Sequence, residues 1–553
     1  MAIDGPSARL RGALEEYKSR RFHFRTPIEP ADLEYLFVEP DENAVATTPE
    51  AAADPSRIMA AAAYRNMPVE RILDAFPGSR LRRRPALLAQ NFAEAYSDAL
   101  IRRALDHTDH PQVQAFGTNP VPVIEHCLQA RARRRSRDRK LALVALALLP
   151  FAPGAAAWYA ALRVKATLPA RQAVRTVPIA LILGLAMWLT VTPPGLPTPW
   201  NWYIPLALLA PVLCWPIATD IALRHAEADL ITARDLLYGP VPPSALVPEA
   251  VPTGPRDIKA KRLRDALALV AAQQESNIFF YDDAGVTGAG QRWASWHLDQ
   301  PLNGERVSAA QDFHPWTVVA AVRARLTEQP PVPGTVAVDD WALYPLRARS
   351  ENRPWPIGPD MDGLRMRPSA LQRICNTADP HGPRHALALQ LHLFEGRAVL
   401  TFLVRVQIRR SHLLVDIDAY ALGTLSAVLQ ESPKSHWAQA NPLSTMRESE
   451  TRVDLGELTR LLVRAPRACW STTPVRGQVQ LPEPFGLRHS SAQPPMATQE
   501  MADVCIYMAT PVMHAIQSVV ETILDGENLA ASGQEHDGFK AQFEHVPRSS
   551  STR

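Results

Sequence analysis

The chain has 553 residues and a mass of 61.0 kDa, with 46% hydrophobic and 21% charged residues and a mean hydropathy of −0.13. That length exceeds one ordinary core and predicts two or three packed units, while the averages exclude a largely disordered or fibrous chain. They do not exclude a membrane protein, because a few apolar spans in a long polar chain leave the mean almost unchanged.

The formal net charge of +3 is unevenly placed: residues 1–140 carry +3, residues 141–175 carry +4 with no acid, and the rest carries −4. Proline reaches 51 residues and lysine only seven. Abundant Arg, Ala and Pro at the expense of Lys fits a G+C-rich coding sequence, so neither abundance is read as functional.

Residues 1–140 read as a cytoplasmic helical domain. The opening MAIDGPSARLRGALEEYKSRR has no apolar signal region and reads as a soluble helix from Ser7. Pro68 before VERILDAF, and LLAQNFAEAYSDALIRRAL from Leu87, show helical starts and spacing. A helix from Val121 to Lys140 is expected to run straight into the next segment. The cluster Arg80, Arg82, Arg83 and Arg84 reads as a solvated or lipid-facing loop. No recognition motif accompanies it, so nucleic acid is not expected as a partner.

A membrane block is expected over 141–223. Its first run, 141–162, has 22 uncharged residues, about 33 Å as a helix and enough to cross a ~30 Å hydrocarbon core. A second run, 177–194, ends in Trp188 and a double Pro. A third, 200–219, carries Trp200, Trp202, Tyr203 and Trp215, the aromatic residues of headgroup depth, with Pro205, Pro211 and Pro216 inside it. Soluble cores rarely string such runs together, so two or three transmembrane helices of a multi-pass cell-membrane protein are predicted.

RARRRSRDRK before the first run should stay cytoplasmic, as should the loop carrying Arg163, Lys165, Arg171 and Arg175. That pattern pairs runs two and three as a hairpin. Run one then re-enters or lies at the interface, broken at Pro150, Pro153 and Gly154, and the C-terminal domain is also cytoplasmic. The rival is three simple spans with the C-terminal domain outside. Cys127, Cys214, Cys375, Cys469 and Cys505 are odd in number and widely spaced, which fits a reducing compartment.

A Pro-rich linker, 238–256, with Pro240, Pro242, Pro243, Pro248, Pro252 and Pro255, separates the membrane block from an α+β domain over 257–525. There a helix is expected at Asp257 to Gln274, then a strand in SNIFFYDD with RWASWHLD as its return strand, then a helix opened by Pro315. The clearest β signal is an antiparallel meander over 386–420, with turns at Glu395–Gly396 and Arg409–Ser411. LGELTRLLVRA reads as a helix capped by Asp454, Thr498 to Leu524 as a helix kinked at Pro511, and 526–553 as a disordered tail. The predicted fold class is therefore an α+β multidomain membrane protein.

Candidate chemistry is sparse. Cys375, Asp379, His381 and His385 are possible metal ligands, but their spacing matches no common zinc module and reads as a loop before a strand. His392, Arg405, His412, Asp416 and Asp418 share the polar face of the meander, which suits either acid/base work or plain solvation. Gly285, Gly288 and Gly290 lack the order of a phosphate loop and read as a turn. Asp220 is placed for an ion pair with Arg224 one turn on. No catalytic residue, cofactor or metal site is assigned. The expected function is a membrane-anchored interaction or scaffold protein, with the lipid bilayer and a protein of unknown identity as partners. The alternatives are a tethered enzyme using the polar face at 386–420, or an oligomeric transporter or channel component.

Overall fold

The computed structural model describes residues 54–543 except 83, 85–87, 107–112, 168–171, 192–199, 240–257, 284, 304–312, 333–334, 347–358, 378, 380–381, 395, 410, 432–454, 471–477, 483–484, 494–498 and 527–539. The helix expected from Ser7, nearly all of the Pro-rich linker, the Asp454 cap, Arg83 and His381 lie outside those residues.

The described residues before the apolar runs are mostly helical. They form α1 (Pro55–Ala62), α2 (Arg71–Ala75), α3 (Phe92–Ile101) and α4 (Pro120–Leu148), with a two-residue strand β1 (Arg80–Leu81) between α2 and α3. Asp54 and Asn119 cap α1 and α4 ahead of a first-turn Pro, and Asn91 with Glu94 forms a reciprocal capping box on α3. The start of α3 at Phe92 rather than Leu87 follows from that box.

The described parts of the apolar runs are also helical: α5 (Ala152–Thr167), α6 (Gln172–Val191) and α7 (Trp200–Tyr238). A single 3-10 turn, Leu149–Phe151, interrupts run one between α4 and α5, where its prolines predicted a break. The three prolines of run three sit inside α7, whose 39 residues extend about 58 Å. Pro211 cannot donate to the Ala207 carbonyl one turn earlier, and Gly154 packs there; a Cβ at Gly154 would fall 1.8 Å from that oxygen. Trp158 donates to the Leu208 carbonyl at 2.8 Å.

Among the described residues, two helices are long and apolar enough to cross a membrane, Pro120–Ala161 and Trp202–Tyr238, and Val177–Leu189 is a shorter apolar helix. Only 17% and 28% of the two long apolar windows is buried. Leu143, Leu181, Met187, Trp202 and Leu213 turn outward.

After α8 (Ile258–Gln274) the chain builds a curled sheet from β2 (Ile278–Asp282), β3 (Gly285–Val286), β4 (Gln291–Pro301), β5 (Thr335–Pro345), β8 (Arg384–Leu393), β9 (Ala398–Arg409), β10 (His412–Leu422) and β12 (Lys540–Phe543). A small hairpin, β6 (Met361–Asp362) with β7 (Arg365–Met366), stands apart from it. The order in the main sheet is β12-β4-β10-β9-β8-β5-β2-β3. The predicted meander is β8, β9 and β10, in antiparallel register with Leu389 opposite Phe402 and Phe402 opposite Ala419. Positive φ at Phe394, Gly396 and Ser411 makes its two tight turns.

Two expectations change here. RWASWHLD is β4, but it pairs with β10 and not with β2, because Ala294, Trp296 and Leu298 continue the apolar face of the meander. Within the expected disordered tail, Lys540–Phe543 forms β12 on the open edge of β4.

One sheet face packs Leu387, Leu389, Phe402, Val404 and Ile417 against α9 (Pro315–Glu328) and α13 (Gln499–Gly526). Val318, Val322, Cys505, Met508 and Val512 supply the helical side of that core, and the short α10 (Pro368–Asn376) packs at its margin.

The regions before and after the apolar helices share a core. Phe76, Phe92 and Tyr96 pack with Leu425, Val428, Phe485 and Leu487, and with Leu236 at the end of α7. β1 pairs with β11 (Val479–Gln480), and α11 (Ala427–Gln430) packs on α2. The amphipathic α12 (Leu455–Trp470) lies along α4, with Leu458 and Leu461 against Leu141 and Ala222.

Candidate functional site

The five residues of the predicted polar face separate into three environments. Asp416 meets His297 at 2.6 Å and His412 meets Asp299 at 2.7 Å, both pairs exposed on the β4–β10 surface. His392 stands at the far end of the face, where burial and the nearby Arg488 guanidinium lower its pKa. Arg405 and Asp418 alone remain together, 2.7 Å apart. Cross-strand alternation put all five on one side, but it does not control what covers each end of a curled sheet.

Arg405 and Asp418 line a cavity of about 180 Å³ with Arg292, Arg384, Tyr281 and Tyr420. The curl of the sheet makes this cavity. Four strands separate β10 from β3 in the sheet order, yet the Tyr420 ring lies against Gly285, where a Cβ would come within 2.7 Å of Cε1. Gly285 has φ +119, so both its conformation and its lack of a side chain are required there. Gly290 similarly abuts the Ala421 carbonyl. The glycine-rich segment is thus a packing turn that closes one wall of the cavity.

Asp418 is buried and shared by two arginines, Arg405 and, at 3.8 Å, Arg292. Arg384 stacks over Tyr281 at 5.2 Å. Burial pushes the Tyr420 hydroxyl up to about 12, with Asp418 acting in the same direction. These groups supply guanidinium and phenol donors and an ion-paired carboxylate. They suit recognition of a polar or anionic group rather than proton abstraction. Arg292 and Arg384 carry no sequence motif; only their register opposite Tyr420 and Leu343 brings them to the site.

Of the candidate donors in the Cys375 segment, the described ones make separate contacts. His385 reaches Asp340 at 3.0 Å, Asp340 also pairs with Arg323, and Trp316 packs edge-on to His385. Burial pushes the Cys375 thiol up to about 12, which keeps it protonated and unreactive. Asp379 folds instead against Gly382. Among the described residues no three metal donors converge. Asp220 and Arg224 form the expected one-turn ion pair at 2.8 Å.

Two buried ionic points that the sequence gives no sign of join the N-terminal helices to the C-terminal region. Glu94 accepts from Arg137 at 3.1 Å and from Arg464 of α12 at 2.7 Å. Burial opposes its charge, but Arg464, Arg137 and Arg134 hold its carboxyl well below the usual range. Arg488, with no exposed surface, donates to the carbonyls of Phe116, Gly117, Gly396, Arg397 and Gly423.

A sequence profile of the AbeC-like domain family matches residues 295–535, from β4 through α13. No curated protein and no solved structure matches the chain. The matched segment covers most of the sheet and α12, and omits the N-terminal helices and the apolar helices. What this chain shares with that family is therefore the region carrying Arg384, Arg405 and Asp418.

Proposed function

We propose that this protein is a membrane-anchored interaction or scaffold protein. In this reading α4 to α7 form the anchor, and the N-terminal helices and the α+β region sit together on the cytoplasmic face. The shared core carries the reading. Phe92 and Tyr96, before the apolar helices in the chain, pack with Leu425 and Phe485, after them, which supports placing both regions on the same side of a bilayer. That contact supports an even number of crossings, and the two helices of spanning length and hydropathy are Pro120–Ala161 and Trp202–Tyr238, with Val177–Leu189 the shorter one. The basic residues that precede Leu141 favour the cytoplasm for that side.

The outward Leu143, Leu181, Met187, Trp202 and Leu213 support burial in lipid, since so much exposed leucine and tryptophan on contiguous helices would be a liability in water. The cleft between Arg384, Arg405 and Tyr420 is the surface on which the α+β region would meet its protein partner.

The test uses the full chain with a reporter active only in the cytoplasm, fused at either end in separate experiments. Activity from both fusions, with the protein resisting alkaline extraction from membranes, is the expected outcome. Activity at one end only, or release by alkali, overturns the reading. Partner binding is read by crosslinking the intact protein in cells and comparing wild type with Arg384→Glu, which should lose a specific adduct.

A further inference from the structure

The basic run before the first apolar helix divides into two faces. Arg133, Arg134 and Arg137 turn inward and are consumed by the fold. Arg133 bonds the Thr232 hydroxyl at 2.8 Å, Arg134 the Ala93 carbonyl at 3.1 Å, and Arg137 the Glu94 carboxylate. Arg135, Arg139 and Lys140 turn outward and are exposed, and Arg131 is half-exposed with Asp98 at 3.9 Å. Arg131, Arg135 and Arg139 are spaced one turn apart, an arrangement of like charges that destabilises a helix in isolation.

Arg102, at the end of α3, lies within electrostatic reach of both Arg131 and Arg82, and Arg135 within reach of Arg131 and Arg139. Arg82 belongs to the separate cluster after α2. The ridge is the outward stripe Arg131–Arg135–Arg139; Arg102, which donates to the Asp98 and Val479 carbonyls, and beyond it Arg82 lie in its electrostatic neighbourhood, with Asp98 and Asp106 as the acids beside it. Directly above Lys140 come the exposed Leu143 and Leu146.

We propose that this arginine ridge binds the acidic phospholipid head groups of the cytoplasmic leaflet. The inference rests on the membrane-anchored reading above and adds lipid selectivity to it. Guanidinium groups pair with phosphodiester oxygens, and the anion supplies the charge that the ridge lacks within the fold. With α4 near the bilayer normal, Arg139 and Lys140 lie at headgroup depth. Arg135 is about 9 Å below Leu141 and reaches up by its side chain, and Arg131 is about 15 Å below. The contribution should therefore fall in the order Arg139, Arg135, Arg131. A soluble anion seated on the ridge would instead favour its centre.

The experiment reconstitutes the full chain in vesicles and measures quenching of its tryptophans by brominated phosphatidylglycerol against brominated phosphatidylcholine. Trp215 of α7 is partly exposed and packs against the Leu141–Ala142 end of α4, so it reports on lipid beside the ridge. Wild type should select the acidic lipid, by up to about five-fold for each arginine at headgroup depth, and lose most of that selectivity in high salt. The triple variant R131Q/R135Q/R139Q should quench equally with both lipids, whereas the corresponding lysine variant should keep the preference. Equal quenching by both lipids in wild type overturns the ridge assignment and leaves the membrane reading standing. No quenching by either lipid overturns both. Loss of selectivity on adding millimolar inorganic phosphate, with ionic strength held constant, assigns the ridge to a soluble anion and overturns the lipid.

Discussion

Arg488 and Glu94 both lie where the N-terminal helices meet the C-terminal region, and both are ionic groups withdrawn from water, yet their surroundings are opposite. Arg488 is held by backbone carbonyls and leaves its Nε without a partner. Burial pushes its pKa down to about 10, with only Asp54 acting against that shift. Glu94 is held by side chains of opposite charge, Arg137 and Arg464, and its folded form strongly prefers the ionised state. One point fastens three loops by geometry; the other fastens three helices by charge. A fold joined in both ways resists separation of its halves under different conditions.

The largest effect is expected at Arg488. Arg488→Ala leaves five carbonyls without their donor and opens a cavity between the Phe116–Gly117 segment and the β8–β9 turn. A loss of about 5 kcal/mol in denaturant unfolding of the full chain is expected. Arg488→Lys keeps the charge but cannot span the same carbonyls, and should cost roughly half as much. Equal stability of Arg488→Lys and wild type would show that the charge matters and the fork does not.

Glu94→Gln comes next, at about 3 kcal/mol, because it leaves Arg137 and Arg464 close together in a buried place without their shared anion. Its signature is in pH. The folded pKa of Glu94 is depressed below the ordinary 4.5, so its stabilisation is present in full above that value and is lost as pH falls toward the folded pKa. Wild type should therefore lose stability below about pH 4.5 more steeply than Glu94→Gln does. The guanidinium of Arg488 stays charged over that range, so the Arg488→Lys difference should not change with acid. Parallel acid profiles for wild type and Glu94→Gln would remove the electrostatic account of this junction.

The contrast also explains what could be read from residues alone. Leu387, Leu389 and Leu391 opposite Leu400, Phe402 and Val404 announce a meander, because alternation fixes a face and the turn residues fix the register. Uncharged length likewise announces the apolar helices. Nothing in the segment around Arg488 points to carbonyls contributed by positions 116, 117, 396, 397 and 423, since a backbone acceptor leaves no trace in sequence. The partition of the basic run needed α3 and α7 in place before Arg137 could be told from Arg135. β4 was assigned the wrong partner for a related reason. Alternation says which residues point to the core and is silent on which strand lies beside them.

Polar alternation is equally silent on burial, and the two ends of the outer sheet face provide the smallest and most discriminating test. Asp418 is shared by Arg292 and Arg405 inside the cleft, so Asp418→Asn should cost about 2 kcal/mol, as expected for a charge-assisted hydrogen bond to Arg405 and a longer ion pair to Arg292 out of water. Asp416, two residues earlier on the same strand and the same face, pairs with an exposed His297. Asp416→Asn should change stability by less than about 0.5 kcal/mol, with any effect disappearing in salt. Measured together by unfolding, the two substitutions are chemically identical and differ in what covers each carboxylate. A ratio near one would mean that the curl of the sheet does not shield Asp418, and the cleft would then be an open polar surface. A several-fold ratio would mark Asp418 as a shielded anchor that holds Arg405 and Arg292 in place within the cleft.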